Sequence, residues 1–408
     1  MTSVGIIGAG IAGLHLALML QQRGVETQLY LEHGTDDMRK ARLRPMVCRF
    51  GQTQRREREL GLDLDHLDGG QVLCAHVHAH VEPPLRFRGD LTHPGSVIDL
   101  RVYLPLLVEE YMNRGGRTTV GTVDDETLAK VSTVHDLAVV ATGVSGLARR
   151  FPIDTSRSET GPQRLLFTGI FDGIADTDPV GQHVDLVPGC GEIFQISVST
   201  FGGRSTGLLI EAIPGGPWEP FVRRDWTDDI DGCARAVRNL LTDYGSAIAS
   251  RIEPATFGLR RPVDLLQGAV TPTVRQAWVQ LDDDRIAVAL GDAAILNDPI
   301  TGQGGNLGSA SAEAMTNLIT THTEFHREFG DRWQQQLTAL SESVTEWARA
   351  ALGQPEPHVI ELLQNLATDQ HLANSYLDYF DDPRSMWATI RSPAGTAAFV
   401  DSMRAARI

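Results

Sequence analysis

Three features of the 408-residue sequence predict an α/β fold built from two domains and a helical C-terminal region. A short apolar strand near the N-terminus runs into a glycine-rich turn and a helix, the opening of a Rossmann-like dinucleotide-binding unit. Between residues 161 and 261, apolar and polar side chains alternate with a period of two, which a mostly antiparallel, half-buried sheet requires. From Ala310 onward the periodicity is helical, in TNLITTHTEFHREF and RWQQQLTALSESVTEWARAAL, with breaks at PEPH and DDPR. The expected layout is a discontinuous nucleotide-binding domain (1–160 with 262–320), an inserted sheet domain (161–261) and a helical region (321–408) packed on both.

The N-terminal unit, Val4 to Glu32, contains strand, glycines, helix, second strand and terminal acid in the order a dinucleotide fingerprint demands. Gly8 is expected to make the tight turn, Gly10 to let the backbone approach a pyrophosphate, and Gly13 to let helix and strand pack closely. Ile11 and Ala12 lie in the same turn, where a helix N-terminus attracts phosphate. Glu32 would accept hydrogen bonds from an unphosphorylated ribose, which suits FAD or NAD. A later apolar run, DLAVVATG, reads as a core strand that delivers Thr142 and Gly143 to the same nucleotide.

A second glycine-rich segment decides between the two cofactors. The run DRIAVALGD ends in Asp292, and DPITGQGGN then opens a helix from about Asn306. An acid just after a core strand can bind a chain of hydroxyls, while a glycine loop at a helix start aims free N–H groups at an electron-rich atom. Those are the demands of a ribitol and a flavin ring, so FAD is the expected cofactor.

With GxGxxG near the start and GD…DPxxGQG late, the chain resembles the FAD-dependent aromatic-hydroxylase superfamily, and within it the oxygenase components of styrene and indole monooxygenases. The similarity runs through GIIGAGIAGLHLAL, LRFRGDL, DLRVYLPLL, DLLQGAV and LGDAAILNDPITGQGGNLGS. It implies a glutathione-reductase-type FAD-binding domain, with Asp292 on the ribitol and Pro299 beside the isoalloxazine face. Gly302, Gln303, Gly304, Gly305 and Asn306 fall around the N1–C2 edge, and Pro299 and Asn306 take the catalytic positions. Arg42 and Arg44, in the basic run Arg39–Pro45, fall where relatives direct arginines at the phosphates, and Arg101 matches an arginine on the helix beside the cofactor.

The resemblance also implies how electrons arrive. Self-sufficient hydroxylases of this superfamily carry a DxxxGADG-like stretch linked to NADPH, whereas this chain has DLAVVATG, with Thr142 in place of the acid, and no second complete βαβ fingerprint. A separate NADH-dependent flavin reductase is therefore the expected partner, supplying reduced FAD that reacts with O2 to form a C4a-peroxyflavin and epoxidises or hydroxylates a small aromatic or vinyl-aromatic substrate such as styrene or indole. Such oxygen transfer needs a dry pocket more than an acid–base pair. On the substrate side, Ser197, Ser199 and Phe201 alternate along one predicted strand, and Ser199 and Phe201 are candidates to face the pocket. Where styrene-type relatives place Asn-Thr near the flavin edge, this chain has Pro45-Met46, which makes Met46 a third substrate candidate and puts styrene or indole as natural substrate in question. The alternatives are a self-contained NADPH-dependent hydroxylase and a non-catalytic flavin-binding protein; the halogenase motif WxWxIP is missing, Trp218-Glu219-Pro220 being a poor match.

Composition narrows the partners further. A net charge of −16, with basic residues interspersed among acids, argues against nucleic acid. No stretch approaches the length of apolar sequence a membrane span requires. Cys48, Cys74, Cys190 and Cys233 show no CxxC or disulfide-like spacing, and no signal peptide precedes the strand at Val4, so a cytoplasmic location is expected. The histidines of HVHAH (His76, His78, His80) alternate as one strand face, but no Cys or carboxylate stands at ligand spacing, and no metal is expected. The oligomeric state is open, a homodimer included.

Overall fold

The computed structural model describes residues 2–62, 64–144 and 146–406. Its first layer is a six-stranded sheet in the order Trp278–Gln280, Ile286–Ala289, Leu137–Val140, Ser3–Ile7, Glu26–Leu31, Arg117–Val120. All neighbours are parallel except the first pair. Parallel central strands are covered on both faces, and Leu137–Val140 and Ile286–Ala289 are accordingly buried at every position. The helix Ile11–Gln22 is buried from Ile11 to Leu20, because it is sandwiched between this sheet and the later helix Gly304–Thr320. Its one buried polar side chain, His15, is satisfied by Ser309 Oγ at 3.0 Å and Tyr103 Oη at 2.8 Å, and burial lowers its pKa to about 4, so the ring is neutral.

The second layer is a nine-stranded, mostly antiparallel sheet. At its centre, Arg164–Asp172, Gly191–Thr200 and Gly203–Ala212 fall inside the 161–261 span whose alternation predicts strands. The sheet also recruits strands from outside the expected insertion: Val47–Arg49, Gln71–Ala79, Leu85–Ile98 and Leu265–Val270. Gln71–Ala79 pairs in parallel with Gln182–Val187 and antiparallel with Leu85–Ile98. These pairings are long-range, so no local period could assign those strands to the second sheet.

The C-terminal region is helical, with one correction. TNLITTHTEFHREF is not one segment: the helix ends at Thr320 and the next begins at Arg327. Thr321 Oγ1 and His322 Nδ1 both bond back to the carbonyl of Leu318, at 3.0 and 2.7 Å, using local polar contacts in place of the helical ladder. The last four helices gather a small core around Leu362, Leu372 and Phe399, against Trp347 of the long helix Arg327–Leu352 and Phe87 of the second sheet. Among the described residues, no helix is long and apolar enough to cross a membrane.

Candidate active site

Because parallel strands end on one edge, Ser3–Ile7, Leu137–Val140 and Ile286–Ala289 deliver Gly8, Thr142 and Asp292 to one rim. That rim borders a cavity of about 2500 Å3 reaching to the inner face of the second sheet. A pocket for a drug-sized ligand spans about 300–1000 Å3, so there is room here for a dinucleotide and a second molecule.

The glycines of the first turn divide the work as the fingerprint requires. Gly8 has φ 116°, and a Cβ there would lie 2.2 Å from the Ala141 carbonyl oxygen. A Cβ on Gly13 would lie 2.6 Å from the Gly8 oxygen, whereas one on Gly10 would meet nothing within 4 Å. Gly10 therefore offers bare backbone to the cavity. The late loop does the same: Gly302 is left-handed at φ 65°, and Cβ atoms on Gly302 and Gly304 would meet no protein atom within 4 Å. Both helices start on the cavity without a side-chain cap, leaving first-turn N–H groups free for an anionic ligand.

Polar groups on the same wall also lack partners. Thr142 Oγ1, Asn297 Nδ2 and Thr301 Oγ1 are buried with no hydrogen-bond partner among the described residues, and all three residues line the cavity. The Asp292 side chain opens to the cavity but is enclosed by protein behind it, and that desolvation pushes its carboxyl up to about 6. At the join of the two layers, Arg164 holds Glu192 in a bidentate pair of 2.7 and 2.8 Å. Glu211 lies directly opposite Glu192 in the strand register and is fully buried. Burial, with Asp298 and Glu192 nearby, raises its pKa well above the usual carboxylate range.

The structure brings together around one cavity Gly8, Gly10, Ile11, Ala12, Glu32, Arg44, Met46, Thr142, Gly143, Asp292, Pro299, Gly302, Gly304 and Gly305. Met46 packs so closely on the second sheet that its sulfur would be 2.3 Å from a Cβ on Gly207. Other predicted positions lie elsewhere. Gly13 is a packing glycine behind the wall. Arg42 is exposed and off the cavity. Arg101 is buried between Asp99 and Asp264, at 2.6 and 2.7 Å, and does not reach the lining. Gln303 donates to the Phe380 carbonyl at 2.8 Å. Asn306 is fully occupied: Oδ1 accepts from the Phe50 N–H (3.1 Å) and Thr53 hydroxyl (2.7 Å), and Nδ2 donates to the carbonyls of Cys48 (2.9 Å) and Gly302 (3.0 Å). It ties the loop down and has no bond left for a reacting group. Ser199 donates to the Leu67 carbonyl behind the sheet, and Phe201 is 47% exposed at a turn beside Arg101, so neither faces the cavity.

Residues that sequence reasoning missed include Arg164, Glu192, Asn297, Asp298 and Thr301. The last three stand inside the quoted late loop, where their polarity was the available signal. Arg164 and Glu192 are 28 residues apart and meet only through the sheet. The expectation that HVHAH lacks a carboxylate is also corrected: Asp185, from the neighbouring strand, accepts from His80 at 2.8 Å.

Known proteins of this architecture place the chain. Over its whole length it resembles a flavin-dependent brominase, Bmp2 (TM-score 0.68, 12% identity, 100% of this chain and 99% of that one). It also resembles 2-methyl-3-hydroxypyridine-5-carboxylic acid oxygenase (TM-score 0.59, 14% identity, 98% and 96%). The fold is thus that of the flavin-dependent monooxygenases and halogenases. A family model described as "Styrene monooxygenase A putative substrate binding domain" matches residues 143–251. Styrene monooxygenase StyA of Pseudomonas fluorescens is 30% identical over 397 residues, and StyA of a Pseudomonas sp. is 31% identical, each match covering 96% of this chain and 95% of the relative. The chain belongs to the styrene monooxygenase StyA family. It is a flavin-dependent monooxygenase, and its cofactor is FAD.

Proposed function

We propose that the chain is the oxygenase half of a two-component system, taking reduced FAD from a separate NADH-dependent reductase and oxygenating a small aromatic or vinyl-aromatic compound such as styrene or indole. The observation that carries this reading is the single cavity running from the Gly10 turn, past Asp292 and the late loop, to an apolar wall of Phe194, Ile196 and Leu209. Bound reduced FAD supplies the oxygen chemistry, activating O2 and transferring one oxygen atom. Gly10 and the first helix N-terminus hold the pyrophosphate, with Arg44 as counter-charge and Glu32 on the ribose. Asp292 and the unpartnered Thr142 hydroxyl take the ribitol. The N–H groups of Gly304 and Gly305, at the helix start on the cavity, would stabilise negative charge on a bound reduced ring, and Pro299, on the same lining, would shape the approach to it. The apolar wall excludes water, and Met46 sets the floor where relatives carry a polar pair. Arg42, Arg101, Ser199, Phe201 and Asn306 take no direct part; Asn306 positions the loop. A cytoplasmic location is supported by four free, buried cysteines.

The test supplies purified protein with chemically reduced FAD, O2 and either styrene or indole. Styrene oxide or indigo is expected without any nicotinamide, and NADH alone should leave bound FAD oxidised. FAD binding with no oxygenated product from a panel of arenes would defeat the substrate assignment. Bleaching of bound FAD by NAD(P)H alone would replace it with a self-contained hydroxylase.

A further inference from the structure

On the face of the second sheet turned away from the cavity lies a cluster that the oxygenase reading does not use. Val77 and Ala79 of one strand and Val184 and Leu186 of its parallel neighbour line the cavity, so His76 and His78, with His183 and Asp185, project from the opposite side. His80 follows directly. His78 Nδ1 and His80 Nε2 lie 3.3 and 2.8 Å from one carboxylate oxygen, Oδ1 of Asp185, and the three atoms are within 4.8 Å of one another. The second oxygen, Oδ2, is held by His183 Nε2 at 3.1 Å and by the Ser246 hydroxyl. Asp185 is completely buried, and His78 is 5% exposed with its Nδ1 lacking a hydrogen bond.

We propose that His78, His80 and Asp185 form a zinc site. A tetrahedral zinc ion with bonds of about 2.0–2.1 Å separates its ligand atoms by about 3.3–3.4 Å. The His78 to Asp185 spacing matches, and the His80 contact needs to open by only about half an ångström to do so. Two imidazoles and one carboxylate are a common zinc donor set, and the fourth position is open to water because the His80 side chain is 17% exposed. His183 and Ser246 then play the outer role of fixing the carboxylate through its other oxygen. Without an ion, a buried ring nitrogen of His78 lacks a hydrogen bond beside a carboxylate, an arrangement that costs free energy and that a cation relieves. Such an ion would pin the turn His80–Leu85, whose Val81, Glu82, Pro83 and Pro84 line the mouth of the cavity.

Metal-stripped full-length protein, incubated with zinc chloride and passed through gel filtration, is expected to retain one zinc per chain and to melt at a higher temperature. Cobalt in its place should give the visible absorption of a tetrahedral site. H80A, at a partly open position, should lose zinc while still binding FAD, and H183A should weaken zinc by roughly 10–100-fold. H76A should change nothing, since His76 bonds instead to the Pro179 carbonyl. Loss of zinc from the wild-type chain on gel filtration, absence of the cobalt bands, or equal retention by H80A would each overturn the proposal.

Discussion

The two glycine-rich helix starts that border the cavity are built in opposite ways. Around Gly8, Gly10 and Gly13 the shape comes from close packing of backbone on backbone, with two of the three glycines wedged against carbonyl groups. The late loop has little such crowding: Gly302 and Gly304 are free, and only Gly305 is pressed, 2.5 Å from Val47 Cγ1 by its notional Cβ. Side chains hold that loop in place, Asn306 to Cys48, Phe50 and Thr53, and Gln303 to Phe380. A locally packed turn needs particular glycines; a turn moored by distant groups needs particular anchors. The first should break on gaining a methyl group, the second on losing an amide.

Gly8→Ala carries the largest expected effect. A positive φ with a carbonyl oxygen 2.2 Å from the new Cβ combines backbone strain with overpacking, together costing roughly 2–6 kcal/mol in urea unfolding. Gly10→Ala should leave unfolding unchanged yet weaken FAD, because its methyl group enters only the cavity. Equal loss of stability in both variants would erase the distinction drawn between them. Asn306→Ala comes next: it abandons the Phe50 N–H and two carbonyls, at a cost of about 1–3 kcal/mol. FAD affinity should fall with it, although Asn306 does not line the cavity. An unmoored loop with unchanged FAD titration would show that the anchors are dispensable.

This contrast explains what could be read from residues alone. The first turn was legible to the level of individual glycines because a short spacing, GxGxxG, reports them, even though the carbonyl that crowds Gly8 comes from Ala141 on a distant strand. In the late loop the position of Asp292 and the glycines was legible, but Asn306, expected beside the reacting ring, proved to be a mooring. Its partners Cys48, Phe50 and Thr53 are more than 250 residues away, and no spacing rule reports them. Arg101 was half hidden in the same way: Asp99 stands two residues before it, but its second partner, Asp264, belongs to a segment 163 residues later. The period-two runs located the centre of the second sheet but missed strands such as Leu85–Ile98, whose sequence LRFRGDLTHPGSVI has no clean alternation.

Acid sensitivity sharpens the comparison at its midpoint, where Asp292 joins the two regions. Its carboxyl titrates near 6 in the folded chain against an ordinary value of 3.8. The folded state therefore binds the proton more tightly than the unfolded one. Its stabilising contribution is complete below about 3.8 and is lost as pH rises through about 6. In the protein without FAD, wild type should lose melting temperature relative to Asp292→Asn between about pH 4 and 6. A constant difference across that range would mean that the cavity leaves this carboxyl as well solvated as water does.

The smallest effects separate the two arginines of the basic run, which lie two residues apart. Arg44 lines the cavity beside the packed turn, while Arg42 is exposed away from it. An exposed charge whose neighbour is the equally exposed Asp225 contributes little, so Arg42→Ala should stay within about 0.5 kcal/mol in stability and leave FAD affinity unchanged. Arg44→Ala should keep the fold and weaken FAD by about 0.5–1.5 kcal/mol, roughly 2–12-fold by fluorescence titration. Because a charge facing an open cavity is screened by salt, that loss should shrink as ionic strength rises toward 1 M, where the Debye length is about 3 Å. A loss that ignores salt would mean Arg44 acts through packing on the wall, and the counter-charge at the first turn would then fall to the helix N-terminus alone.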